Sequence, residues 1–282
     1  MKRILITGKN SYIGTSFKNY LSKYPNDYSV VTLDMRDENW KLYDFSKYDV
    51  VFHVAGIAHI KETTYNKDIY YKVNRDLAYD TAKKAKQVGI KQFIFLSSMS
   101  VFGIENGIID KNTKLKPNSV YGKSKIEAEE LINGLQDDSF TVTKLRPPMV
   151  YGKGCRGNYP RLAKLALKTP IFPMVDNKRS MIYVDNLSEF VKQLIDNRRG
   201  GLFFPQNAEY VNTSEMVRLI AETHGRRIVL TKLFNPFLRL LNVHTLNKVF
   251  GDLIYEMSMS EYEFDYRVYG FSESIRITEQ RN

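Results

Sequence analysis

The sequence is nearly without cysteine. Cys155 stands alone among 282 residues, so no intramolecular disulfide can form, no cysteine-rich metal site exists, and a reducing, cytoplasmic setting is expected. No uninterrupted apolar run approaches the roughly 18 residues that a membrane span needs. The opening Met1-Lys2-Arg3-Ile4-Leu5-Ile6-Thr7-Gly8 is also too short an apolar stretch for a signal peptide. The expectation is a chain that is neither exported nor membrane-spanning, with no bound metal. Internal repeats and low-complexity tracts are absent as well.

Concentrated charge is missing too. Lysine and arginine outnumber the acids by 42 to 31, a formal charge of +11, which would attract polyanions or a diphosphate-bearing metabolite. The basic residues are scattered, as in Lys83-Lys84-Ala85-Lys86 on an expected helix, with no basic run interleaved by aromatics. Nucleic acid is therefore not an expected partner.

With 43% hydrophobic residues, the chain can bury one sizeable core or two small ones. Short apolar runs at Arg3–Ile6, Ser29–Leu33, Val50–Val54, Gln92–Leu96 and Thr141–Leu145 read as buried strands. Between them the spacing of Val73, Leu77, Ala78, Thr81, Ala82, Ala85 and Val88 predicts one helix over Asp68–Val88, closed by Gly89. Strand and helix in alternation imply an α/β fold, a Rossmann-type doubly wound parallel sheet.

After Pro147-Pro148 glycines and prolines loosen the pattern around a short helix near Arg161–Leu167. A helix near Asp185–Asp196, a strand at Leu202–Phe204, a helix capped near Thr213, and a strand at Ile228–Thr231 follow. The expected division is residues 1–152 for the dinucleotide-binding domain, with 180–204 returning to it. Residues 153–179 and 205–282 would form a small, mainly C-terminal substrate-binding subdomain. In the tail, Phe234, Phe237, Leu238, Leu240, Leu241 and Val243 could lie on a membrane surface, with Lys232 and Arg239 as the basic face. Two basic residues are few for that, so core or interface packing is expected instead.

The first strand runs into Thr7-Gly8-Lys9-Asn10-Ser11-Tyr12-Ile13-Gly14 and then a helix, the geometry of a dinucleotide-binding turn whose amides face a pyrophosphate. Ser11 replaces the middle glycine of the usual fingerprint, where a side chain can crowd the phosphates. Asp34 ends the second strand about 20 residues on, placed to accept hydrogen bonds from the adenosine ribose and to repel a 2′-phosphate. NAD is thus expected over NADP, although Arg36 could receive such a phosphate.

A tyrosine four residues before a lysine on a helix shares a face with it, and the ammonium can lower the phenol from its usual pKa of about 10. Tyr43/Lys47, Tyr79/Lys83 and Tyr121/Lys125 all have this spacing. Only Tyr121 follows a strand that ends in Leu96-Ser97-Ser98-Met99-Ser100-Val101-Phe102-Gly103. Hydroxyls at that end of a parallel strand point into the ligand crevice. Ser98 could then hold a substrate oxygen against Tyr121, or Ser97, Ser98 and Ser100 could simply cap a turn.

With these segments in order, the chain resembles the extended short-chain dehydrogenase/reductase family, which includes NAD-dependent nucleotide-sugar epimerases, dehydratases and reductases. Further matches are Asp44-Phe45, Val54-Ala55-Gly56, Asn74, Leu145-Arg146-Pro147-Pro148-Met149-Val150-Tyr151-Gly152 and Arg179–Leu187. The resemblance implies that Ser98, Tyr121 and Lys125 are catalytic, with Lys125 on the nicotinamide ribose. It places the cofactor against Gly8, Asn10, Ser11, Tyr12, Ile13, Gly14 and Asp34. Asp44, Phe45, Val54, Ala55, Gly56, Asn74, Ser97 and Pro148 complete that lining. It assigns the substrate diphosphate to Arg179, with Ser98, Ser100, Asn158 and Arg161 also on the substrate side. A homodimer is common in the family.

Dehydratases of this group carry an acid pair after the catalytic hydroxyl residue, whereas Met99 and Ser100 follow Ser98, so water elimination is not expected. Pro147-Pro148-Met149 looks like members that reduce 4-keto nucleotide sugars, while nothing forbids a 4-epimerase acting on a UDP-hexose-like substrate. The reading favours the epimerase, with the ketoreductase as alternative and a non-catalytic dinucleotide-sensing protein as the reading of another class.

Overall fold

The computed structural model describes residues 1–58, 60, 62–233, 235 and 249–280. The apolar tail residues Phe234, Phe237, Leu238, Leu240, Leu241 and Val243, with Arg239, lie outside the described residues. The chain forms two compact units, Met1–Gly103 with Lys114–Pro147 and Ser188–Pro205, and Ile104–Thr113 with Pro148–Leu187 and Gln206–Asn282. The units part at Pro147, the return begins at Ser188, and the excursion of Ile104–Thr113 has no counterpart in the division expected from sequence.

Six parallel strands make the sheet of the first unit: β1 (Lys2–Thr7), β2 (Tyr28–Leu33), β3 (Val50–His53), β4 (Gln92–Leu96), β6 (Thr141–Leu145) and β10 (Gly201–Phe203). Their order is β10-β6-β4-β3-β1-β2, so the chain reverses direction of growth beside β1. Such a switch point opens a crevice at the carboxyl edge, between the loops that leave β1 and β3. Ile4, Leu5, Ile6, Val51, Phe52, Phe93, Ile94 and Phe95 are fully buried, because helices cover both faces of a parallel sheet and unbroken apolar runs are what such strands require.

The helix expected over Asp68–Val88 is divided. A short α2 (Lys67–Tyr71) passes through a π-helical turn at Lys72–Asp76 into α3 (Leu77–Gln87). Ala78, Ala82 and Ala85 of α3 pack with Ala128 and Ile132 of α4 (Val120–Asn133) onto Phe93, Phe95 and Val142 of the sheet. The remaining helices α1 (Tyr12–Leu21) and α6 (Val184–Asp196) lie where the sequence predicts them.

Among the described residues the second unit holds three two-stranded parallel pairs, and of their six strands only the one at Val229–Thr231 falls on an expected strand, Ile228–Thr231. The pairs are β5 (Gly107–Ile109) with β12 (Leu253–Tyr255), β7 (Met149–Tyr151) with β9 (Met181–Tyr183), and β8 (Ile171–Pro173) with β11 (Val229–Thr231). Helices α5 (Asn158–Lys168), α7 (Thr213–Thr223) and α8 (Phe271–Glu279) also belong to that unit. The cap of α7 is Asn212, whose Oδ1 accepts the Glu215 amide at 3.0 Å. That agrees with a cap expected near Thr213, which is itself the first helical residue and donates its hydroxyl to the Val249 carbonyl at 2.7 Å. Among the described residues no helix is long and apolar enough to cross a membrane.

Candidate functional site

The turn after β1 is built for close approach. Gly8 has φ +119°, and a Cβ there would stand 2.9 Å from the Ala55 amide nitrogen at the end of β3. Only glycine adopts that conformation without strain. Gly14 is fixed by space instead, since its Cβ would meet Ser11 Oγ at 2.6 Å and Ile6 Cγ2 at 2.9 Å. Ser11 caps α1 by folding its hydroxyl back onto the Gly14 amide at 3.2 Å, which is how a side chain is accommodated at the fingerprint's middle position. Asn10 takes φ 65°, a left-handed conformation that asparagine tolerates.

At the end of β2 the Asp34 carboxylate pairs with Arg36, whose Nε lies 2.9 Å from Oδ1. That bond, the Arg36 backbone amide and the charge of Lys9 hold Asp34 down to about 2. It is ionised at neutral pH and only partly exposed, as a ribose acceptor should be. Asp44 is exposed and accepts from the Ser46 amide at 3.0 Å, whereas the neighbouring Phe45 side chain is fully buried in the core. Phe45 is therefore a packing residue, and only its backbone could meet a ligand. Val54 is half-buried, Ala55 is buried and Gly56 is exposed. A glycine cradle, a helix start and an ionised carboxylate on adjacent strand ends fit a dinucleotide.

Asn74 and Ser97, expected to line the cofactor, spend their side chains elsewhere. Asn74 is fully buried in the π turn and reaches Ser124 Oγ at 3.2 Å, as well as both backbone groups of Ile57. Ser97 is buried and gives its hydroxyl to Glu129. Both act by holding other parts of the site.

Ser98 stands at the carboxyl end of β4 and caps the turn Met99–Phe102, accepting the Ser100 amide at 3.1 Å. Its side chain also acts on the Tyr121 phenol, drawing that group's pKa down. Tyr121 and Lys125 lie one turn apart on α4, as the spacing predicts. Burial pushes the Tyr121 phenol up, the Ser98 side chain pulls it down and Tyr70 pushes it up again, leaving it above its usual value. The depression expected from the lysine is not among these influences. Lys125 Nζ donates to the Leu96 carbonyl at 2.8 Å, and burial brings the ammonium down to about 8 against an upward pull from Glu129.

The substrate-side candidates divide between the units. Ser100 is exposed beside Ser98, with 3.1 Å between their hydroxyls. In the second unit, Arg179 is half-buried, exchanges backbone bonds with Val211 and donates Nη1 to the Gly251 carbonyl at 2.8 Å. Burial lowers its pKa and Asp252 opposes that. Asn158 opens α5, Arg161 is exposed on the same helix, and Pro148 is buried.

Several supporting residues are invisible to motif reading. Glu62 accepts the amides of Val120 and Tyr121, each at 2.9 Å, at the start of α4. His53 is fully buried, with Nδ1 2.8 Å from the Thr7 hydroxyl, and burial pushes it down to about 3. Their one sequence signal is an acid or histidine next to apolar or cofactor-turn segments, which is weak by itself.

The chain matches the model of the NAD dependent epimerase/dehydratase family over residues 4–203. It belongs to that family. The UDP-glucose 4-epimerase of Vibrio cholerae is 30% identical over 248 residues, 78% of this chain and 75% of that protein. Among solved structures, UDP-glucuronic acid 4-epimerase from Bacillus cereus, in complex with NAD, superposes with a TM-score of 0.74 at 19% identity, covering 98% of this chain and 97% of the other. A dTDP-4-dehydrorhamnose reductase from Clostridium acetobutylicum gives 0.76 at 21% identity, covering 98% of each chain. Family membership and the parallel sheet make this chain an NAD-dependent enzyme of the epimerase/dehydratase type with a Rossmann-like fold.

Proposed function

We propose that the protein is an NAD-dependent 4-epimerase of a nucleotide-linked, UDP-hexose-like sugar. The observation that carries this reading is the placement of Tyr121 and Lys125 one helical turn apart on α4, both buried enough for burial to shift their pKa values, with Ser98 at the sheet's carboxyl edge pulling on the Tyr121 phenol. Bound NAD would supply the centre that takes and returns a hydride. Gly8, the start of α1 and Asp34 would hold it, and Lys125 would reach its nicotinamide ribose. Tyr121 takes the proton of the sugar hydroxyl and later returns it, while Ser98 steadies that oxygen. Arg179, with Asn158 and Arg161, would bind the diphosphate, for which a planar guanidinium suits two oxygens at once. Kinship with the Vibrio cholerae 4-epimerase supports the substrate class.

The alternative is reduction of a 4-keto nucleotide sugar, favoured by Pro147-Pro148-Met149 and by the fold's likeness to a dTDP-4-dehydrorhamnose reductase. One assay separates the two. Purified protein is mixed with UDP-hexoses and with 4-keto sugar nucleotides, with and without NADH. Interconversion without added reductant is expected for the epimerase, and stoichiometric NADH loss on the ketone identifies the reductase. Failure of both, with no nucleotide bound, would place the chain among non-catalytic dinucleotide sensors. Tyr121→Phe should abolish turnover while leaving the fold intact, and near wild-type activity in that variant would refute the catalytic assignment.

A further inference from the structure

Beneath α4 lies a buried ion pair for which the reaction above has no use. The side chains of Glu129 and Arg146 are 4% and 6% exposed. Arg146 Nε donates to Glu129 Oε1 at 3.0 Å and Nη2 donates to Oε2 at 2.6 Å. Its guanidinium also faces the rings of Phe102 at 5.3 Å and Phe204 at 5.9 Å. Such a pair is weak as a source of stability, since well-packed apolar residues commonly do as well or better. Its position shows another use.

Glu129 stands one helical turn beyond Lys125 on α4. It accepts the hydroxyl of Ser97, and Ser97 follows Leu96, whose carbonyl takes the Lys125 ammonium at 2.8 Å. The Leu96–Ser97 segment is therefore gripped at two points from one helix, by the cation and by the carboxylate.

The surroundings of Lys125 supply little else to keep it charged. From the end of β3 comes His53, kept neutral by burial. From β4 comes the face of the Phe95 ring, 4.7 Å from Nζ. Tyr121 and Glu129 share its helix, and Arg146, at the end of β6, meets the group through Glu129. Burial draws the ammonium down to about 8, and Glu129 opposes that.

We propose that Glu129 is a positioning residue of the site: fixed by Ser97 and Arg146, it keeps Lys125 a charged ammonium against the Leu96 carbonyl. Arg146 and Ser97 determine where that charge sits. The inference rests on the role given to Lys125 above, but its direct readout does not need the substrate to be right.

The test titrates Lys125 by NMR in protein carrying 13C,15N-labelled lysine, its signal assigned with Lys125→Arg, in wild type, Glu129→Gln and Glu129→Gln/Arg146→Gln. Losing the carboxylate should lower the midpoint by about one pH unit. The alkaline limb of kcat should move down with it, so that the loss of activity relative to wild type grows as pH rises. A merely structural role would lower kcat at every pH instead. The double variant leaves no lone buried charge and so decides the question if the single variant does not fold. An unchanged Lys125 midpoint in the folded variants overturns the inference. Absence of sugar-nucleotide turnover in wild type overturns the functional reading alone, and the NMR titration still decides the role of Glu129.

Discussion

Asn74 grips both backbone groups of Ile57, its Oδ1 accepting the amide at 2.8 Å and its Nδ2 donating to the carbonyl at 3.1 Å. A fully buried side chain amide thereby stands in for a strand partner just after the exposed Gly56. Asn74→Leu should cost about 1–3 kcal/mol, because partly buried groups of Ile57 lose their partner. Urea unfolding checks this, and a midpoint equal to wild type would show the contact to be dispensable.

Gly8→Ala is expected to weaken dinucleotide binding more than it weakens the fold. The added Cβ must stand 2.9 Å from the Ala55 nitrogen at a φ of +119°. A non-glycine residue held in a sparsely populated region costs on the order of 1–3 kcal/mol, and the strain sits where phosphates would approach. Fluorescence titration with NADH should show at least about a tenfold loss of affinity.

Cofactor preference should turn on one carboxylate. Asp34 is ionised and tied to Arg36, whose own pKa that contact raises. With Asp34→Ala the guanidinium is released and the repulsion towards a 2′-phosphate is gone. NADPH should then bind better than in wild type and NADH worse. Titrating both cofactors against both proteins decides it, and an unaltered ratio would dismiss Asp34 as the discriminator.

His53 makes stability depend on acid. Its folded-state value is pushed from 6.5 down to about 3 by burial, so between those values the unfolded chain binds a proton that the folded chain refuses. Stability therefore falls as pH drops through that window. Replacement by asparagine should flatten this part of the profile of urea midpoint against pH. An equally steep profile in the variant would assign the slope to other groups.

Much of the site could be read from the residues because its parts follow from chain-local chemistry. The five strands of the first half are short, mainly apolar runs, and Tyr121 and Lys125, one of three Tyr/Lys pairs at that spacing, are singled out by the serine-rich strand end before them. Other features depend on partners far along the chain. The charge pairing of Glu129 with Arg146, and the inward turn of Ser97, exist only once β4, β6 and α4 are packed. Phe45 carried a cofactor role by motif, yet burial makes it core. The strands β5, β7, β8, β9 and β12 are three residues each and too short to show a period. The cap near Thr213 is legible to within one residue, since Asn212 and Thr213 adjoin and both types suit the position.

The π turn at Lys72–Asp76 gives one stretch of helix two separate phases. An extra residue in a turn advances everything after it by about 100° around the axis, given 3.6 residues per turn. Upstream of it Tyr70 is buried; downstream Ala78, Ala82 and Ala85 form the stripe that meets the sheet. In the language of insertions and deletions, this short segment is a frame marker. Exchanges of side chain at its exposed positions leave that stripe facing the sheet, and removal of one residue within the turn would close it to ordinary α-helix with the alanines still on the sheet, whereas the same deletion inside α3 would turn the alanines after it away.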